Sequence, residues 1–85
     1  MEFYKLTDDL GVPLARSTNN PNNLNWQIIH YLDLVHMASK EKIINKMSNM
    51  GAKTDSIVGS LAHLQRNKVI EDTNKTEQYK SPFKF

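Results

Sequence analysis

A mainly α fold with a small β-sheet, three helices followed by a C-terminal β-hairpin, is the class this sequence predicts, and three observations predict it. Apolar residues recur three and four apart in successive segments between residues 24 and 67. Residues that start or interrupt helices stand between those segments: asparagines near residue 23, then Ser39, Gly51 and Thr54. After Arg66 the helical spacing gives way to the adjacent β-branched pair Val69 and Ile70 and a polar stretch suited to a hairpin tip. Eighty-five residues suffice for one domain with a core of about one helical layer against a small sheet.

The opening segment, EFYKL, alternates like a strand. TDDLG then supplies turn residues, and VPLAR resumes an extended stretch, as a hairpin or a strand with a returning arm would, with Pro13 keeping the second arm at an edge. The run STNNPNNLN is dominated by asparagine, whose short amide bonds nearby backbone groups. It reads as a linker ending in a helix cap at Asn23 or Asn25. Residues 1–23 are therefore expected to be an N-terminal arm or strand plus linker, and residues 24–85 the main folded domain. The arm either adds a strand to the sheet or serves as a dimer arm.

From Leu24 to about Ala38, Ile28, Ile29, Leu32, Val35 and Ala38 form an apolar stripe that Trp26, Tyr31, Leu34 and Met37 widen beyond one face. This should be the most buried helix. The extra width either packs within the domain or seats a partner subunit. Ser39 is a suitable N-cap for a second, short helix with Ile43, Ile44 and Met47 inward and Lys40, Glu41, Lys42 and Lys46 outward. SNMGA breaks the spacing, and Gly51 supplies the backbone freedom a sharp helix-to-helix turn needs.

Thr54 is expected to cap a third helix, with Asp55 in its first turn complementing the dipole. Ile57, Val58, Leu61 and Leu64 form its inward stripe, leaving Ser56, Gly59, Ser60, His63 and Asn67 outside. Strands at Val69–Ile70 and TEQYK would enclose a tip at Asn74 and Lys75, with Pro82 limiting further pairing.

Composition excludes several classes. There is no cysteine, which removes disulfides, thiolate metal sites and cysteine nucleophiles and fits a reducing compartment. Apolar residues at 39% and charged residues at 24% argue for a folded chain, and a mean hydropathy of −0.58 for a polar surface. The stretch from Trp26 to Ala38 is interrupted by Gln27, His30, Asp33 and His36 and falls short of the roughly 20 apolar residues a membrane span needs. The N-terminus lacks the basic start and apolar middle of a secretory signal, so a cytoplasmic protein without membrane attachment is expected.

Charge is unevenly placed. Residues 1–39 carry two bases against four acids, whereas residues 40–85 carry nine bases against five acids. Positive charge thus collects on the half that holds the two short helices and the hairpin. A phosphate-binding surface requires that distribution, and a lysine-rich solvated surface would show it too.

With the elements in this order, residues 24–79 resemble the winged helix-turn-helix family, in the broad manner of MarR-like, ArsR-like and small phage or plasmid regulators. The resemblance rests on Ile43, Ile44 and Met47, on Gly51 in the turn, and on TDSIVGSLAHLQRNKVIED. Leu64, Gln65, Arg66, Asn67, Lys68, Val69 and Ile70 match the way the third helix of that family commonly closes, except that Lys68 stands where glycine is frequent. Asn67 is then the residue expected to take the left-handed backbone.

The resemblance implies a microbial transcription regulator binding double-stranded DNA, with the third helix in the major groove. Ser56, Ser60, His63 and Asn67 would face bases, with Gly59 allowing close backbone approach. Lys40, Lys42, Lys46, Lys53 and Thr54 would hold phosphates, and Lys75 would reach the backbone or minor groove from the wing tip. A homodimer on a two-fold operator is the implied working unit. The alternative from the same fold is a protein-interaction or assembly module that touches no DNA.

Enzymatic chemistry finds no comparable footing. His30 and His36 are six apart on different faces of the first helix, and His63 has no acidic or imidazole partner at helical spacing, which speaks against a metal. Asp8 and Asp9 read as turn formers before Leu10 and Gly11. No phosphate loop, zinc signature or nucleophile elbow occurs, so neither a cofactor nor a catalytic activity is expected.

Overall fold

A computed structural model describes residues 2–17 and 22–73. They form β1 (Phe3–Leu6), α1 (Gly11–Ser17), α2 (Leu24–Val35), β2 (Ala38–Ser39), α3 (Lys40–Asn49), α4 (Thr54–Arg66) and β3 (Ile70–Asp72). The chain is mainly helical, with a three-stranded antiparallel sheet of order β2-β1-β3.

EFYKL alternates because one side of β1 faces the core: Tyr4 and Leu6 are buried, while Phe3 and Lys5 are partly exposed. The strand is paired on both edges, Phe3 with Ser39 and Tyr4 with Ala38 on one side, Tyr4 with Asp72 and Leu6 with Ile70 on the other. The N-terminal segment is thus the middle of the sheet. Burial, together with the hydrogen bond its hydroxyl donates to Glu2, pushes the Tyr4 phenol well above its usual range.

VPLAR is not an extended arm. It belongs to α1, a fourth helix, and Pro13 lies in the first turn, where its missing amide breaks no helical hydrogen bond. Thr7 starts that helix from the end of β1: its hydroxyl accepts from the Gly11 amide at 3.0 Å and donates to the Lys68 carbonyl at 2.6 Å. Gly11 is required by a close approach, because a Cβ there would collide with the Val69 carbonyl oxygen and with Leu6.

Asn23 caps α2, accepting from the amides of Asn25 at 2.9 Å and Trp26 at 3.3 Å. The helix stops at Val35, short of Ala38. His36 adopts positive φ (72°) and donates its amide to Leu32, and Ala38 turns into β2 to pair with Tyr4. Ser39 then caps α3, its hydroxyl accepting from the Lys42 amide at 3.1 Å. Ile43 and Met47 of α3 are buried and Ile44 is partly buried.

The amides of Met50, Gly51 and Ala52 close the last turn of α3, and Gly51, with φ of 100°, reverses the chain toward α4. Thr54 is not the cap. Lys53 holds the extended backbone a cap requires, makes no side-chain capping bond, and leaves Thr54 as the first helical residue. Ile57, Leu61 and Leu64 point inward as expected, but Val58 is 38% exposed.

The end of α4 also differs from expectation. Lys68, not Asn67, takes positive φ (62°, against −88° at Asn67). The Lys68 and Val69 amides reach back to the carbonyls of Gln65 and Leu64, at 3.1 and 2.9 Å, in a Schellman closure. Lysine therefore occupies the conformation that glycine usually fills. Val69 and Ile70 are buried and lead into β3 against β1. The return arm TEQYK, the tip at Asn74 and Lys75, and Pro82 lie outside the described residues.

All three strands and all four described helices contribute to one core. Ile28, Ile29 and Leu32 of α2, Ile43 and Met47 of α3, Ile57 and Leu61 of α4 and Ile70 of β3 are its largest fully buried side chains. Each contributes about 1.5–3 kcal/mol by leaving water. That core fixes α3 and α4 relative to α2 and the sheet.

Candidate nucleic-acid interface

The inward stripe of α4 determines what it leaves uncovered. Ser56, Gly59, His63 and Asn67 are exposed and Ser60 is half-buried. Helical periodicity sets the line farthest from Ile57, Leu61 and Leu64 through Asp55, Gly59, Ala62 and Arg66, all exposed. Ser56, Ser60, His63 and Asn67 form the flank on one side of that line, and Val58 stands on the other. The five expected base-contacting residues therefore share one helix, but four of them lie along one flank of it.

Gly59 sits in the interior of the helix, where glycine costs about 0.5–1 kcal/mol relative to alanine. Nothing lies within 4 Å of where its Cβ would be. No packing within the described residues calls for glycine there. Asn67 turns back on the helix: its amide nitrogen donates to the His63 carbonyl at 2.8 Å and lies 3.4 Å from the imidazole ring nitrogens. The amide that would donate to a base is occupied in this conformation, and the contact holds the His63 ring against the last turn.

The six expected phosphate contacts separate into groups. Lys53 and Thr54 meet at the start of α4, where the Lys53 side chain makes no capping bond to the first-turn amides. Asp55, in the same turn, complements the helix dipole but repels an anion. Lys42 is exposed near the start of α3. Lys40, partly buried, borders a cleft with Glu2, Glu41 and Ile44, so two carboxylates adjoin it. Lys46 lies on the other flank of α3, facing α2. Lys75 lies outside the described residues.

Facing α2, Lys46 lines a groove of about 390 Å³ with Met47 and Met50 of the α3 end and Gln27, His30, Tyr31 and Leu34 of α2. Leu34 is 78% exposed and Met50 52% exposed. The wide stripe of α2 is thus only partly covered. The buried Nε2 of His30 has no hydrogen-bond partner among the described residues, and its ring stacks obliquely on Trp26 at 6.0 Å.

Searches of protein-family models, curated proteins and solved structures find no match to this chain. No described helix is long and apolar enough to cross a membrane, and no group of three or more His, Cys, Asp or Glu among the described residues could hold a metal ion.

Sequence reasoning missed three residues of the α4 surface. Val58 reads as inward because it is apolar and follows Ile57, yet one residue along a helix is about 100° of rotation, which carries it to the margin of the stripe. Ala62 and Arg66 lie on the most outward line, and the signal that would have found them is their spacing of three and seven from Gly59.

Proposed function

We propose that this chain is a sequence-specific double-stranded DNA-binding protein of winged helix-turn-helix type, a transcription regulator that acts by equilibrium occupancy of an operator. The single observation that carries the reading is the uncovered side of α4, small and polar around a glycine with open space above it, on a helix anchored by its other face. Such a helix can lie close to base edges in the major groove, where each base pair offers a distinct set of donors, acceptors and methyl groups. Ser56, Ser60 and His63 supply hydroxyl and imidazole groups there, Asn67 buttresses His63, and Arg66 supplies a guanidinium at the far end of the helix.

Phosphates would sit against Lys53, the first-turn amides of α4, Thr54 and Lys42, and Lys75, outside the described residues, would add a further contact. Lys40 and Lys46 add to the field more than to the contacts. One small module makes few contacts, so two copies on a two-fold site form the working unit of this proposal.

Titration of mixed-sequence duplex DNA at several salt concentrations tests it. Four or so phosphate contacts per copy give a slope of log K against log[salt] of roughly −3 to −4 for each copy bound. Binding that is absent at low salt, or indifferent to salt, would overturn the proposal.

A second reading, protein docking without DNA contact, is favoured by the groove between α2 and α3, whose apolar rim at Leu34 and Met50 suits an amphipathic partner. A salt-indifferent chain that loses a protein partner on Leu34→Glu would support this reading over the first.

A further inference from the structure

We infer that α4 reads thymine methyl groups through Val58 and Ala62, an apolar strip beside its polar flank; the inference rests on the DNA-binding reading and names the base chemistry it recognises. Val58 is 38% exposed although Ile57 next to it is completely buried, and Ala62, four residues on, is exposed as well. Valine is a poorer helix former than alanine, so helix formation does not explain it at an open position. Its side chain is not part of the core cluster.

Residues four apart on a helix bring their Cβ atoms to roughly 5–6 Å. Stacked base pairs rise about 3.4 Å each, so two such side chains span one to two steps of a duplex. An alanine methyl reaches a base edge only if the helix backbone comes close, and Gly59, with nothing within 4 Å of its missing Cβ, lies beside Ala62 on the outward line of the helix. In the major groove of unmodified DNA, the C5 methyl of thymine is the apolar group on offer. Ser56, Ser60 and His63, on the other flank, are free to hydrogen-bond the neighbouring bases while Val58 and Ala62 take the methyls.

The test starts from the tightest duplex selected from a random pool by the full chain. The same duplex is then made with deoxyuridine in place of thymidine, which removes only the methyl groups. Burial of one methyl-sized group corresponds to about a fourfold effect, so the chain should bind the deoxyuridine duplex about four- to fifteenfold more weakly. Val58→Ala should bring that ratio down about fourfold, and Ala62→Gly should lower it further; circular dichroism of each variant checks that the helices remain. Equal affinity for the two duplexes would overturn the inference while leaving DNA binding intact. A ratio unchanged in both variants would also overturn it, by tracing the preference to duplex shape. If no duplex is selected at all, the DNA-binding reading fails and this inference fails with it.

Discussion

The two uncovered surfaces next to α3 have opposite chemistry. On one side of it, α4 presents serines, a glycine, an alanine and a histidine between Asp55 and Arg66, and the shorter of these side chains let another backbone or a base edge approach. On the other, the end of α2 and the end of α3 present Leu34 and Met50, long apolar side chains around a groove. A surface that must be read closely is small and polar, whereas one that must be covered is large and apolar. Under the proposed function, polymer recognition falls to α4 and association to α2, and the two roles would be separable by mutation.

Both surfaces depend on the joint between β1, α1 and the end of α4, and breaking it has the largest effect. Gly11→Ala forces a methyl against the Val69 carbonyl and Leu6. A loss of roughly 3 kcal/mol is expected, read as a lower urea midpoint, with both surfaces impaired together. A midpoint within experimental error of the parent would mean that α1 is not clamped to β3 in this way.

The next effect separates the surfaces. Lys53→Ala should weaken DNA binding severalfold and reduce the salt slope by about 0.9, because it removes a contact at the start of α4. Lys46→Ala, whose side chain faces the α2 groove, should change the slope by much less. Equal slopes for the two variants would erase the distinction between the faces.

Asn67→Ala removes the bond from its amide to the His63 carbonyl and should cost about 1 kcal/mol in a denaturation experiment, with a further loss of sequence preference as the His63 ring is released. Retained selectivity would limit Asn67 to helix termination.

Gly59→Ala sharpens the comparison most, although its effect on stability is small. Open space at the missing Cβ predicts a gain of about 0.5–1 kcal/mol in stability, while DNA affinity falls because the helix can no longer approach as closely. A variant improved in both respects would remove the argument for backbone approach. On the other surface, Leu34→Glu should leave stability within about 0.5 kcal/mol, since the side chain is mostly in water, and should shift sedimentation toward a smaller mass if two copies associate there.

Local chemistry determined a good deal. Asn23 and Ser39 cap because an asparagine or serine oxygen can satisfy first-turn amides wherever it occurs, and Gly51 turns because it alone carries no Cβ penalty at positive φ. The inward residues of α3 and, apart from Val58, those of α4 were readable from their spacing, and so was the exposure of Ser56, Gly59, His63 and Asn67.

Tertiary structure decided the rest. VPLAR is too short to form a helix alone and does so because Thr7 and Gly11 lock it beside Val69. The central place of β1 and the existence of β2 depend on partners 34 to 68 residues away in sequence, which no local pattern records. The end of α2 is decided by Ala38 pairing with Tyr4, and positive φ falls to Lys68 because the Val69 amide must reach the Leu64 carbonyl before β3 can begin. Caps, turns and buried stripes are properties of a few consecutive residues; strand order, exact helix ends and the fate of a borderline residue such as Val58 are settled only by what packs against them.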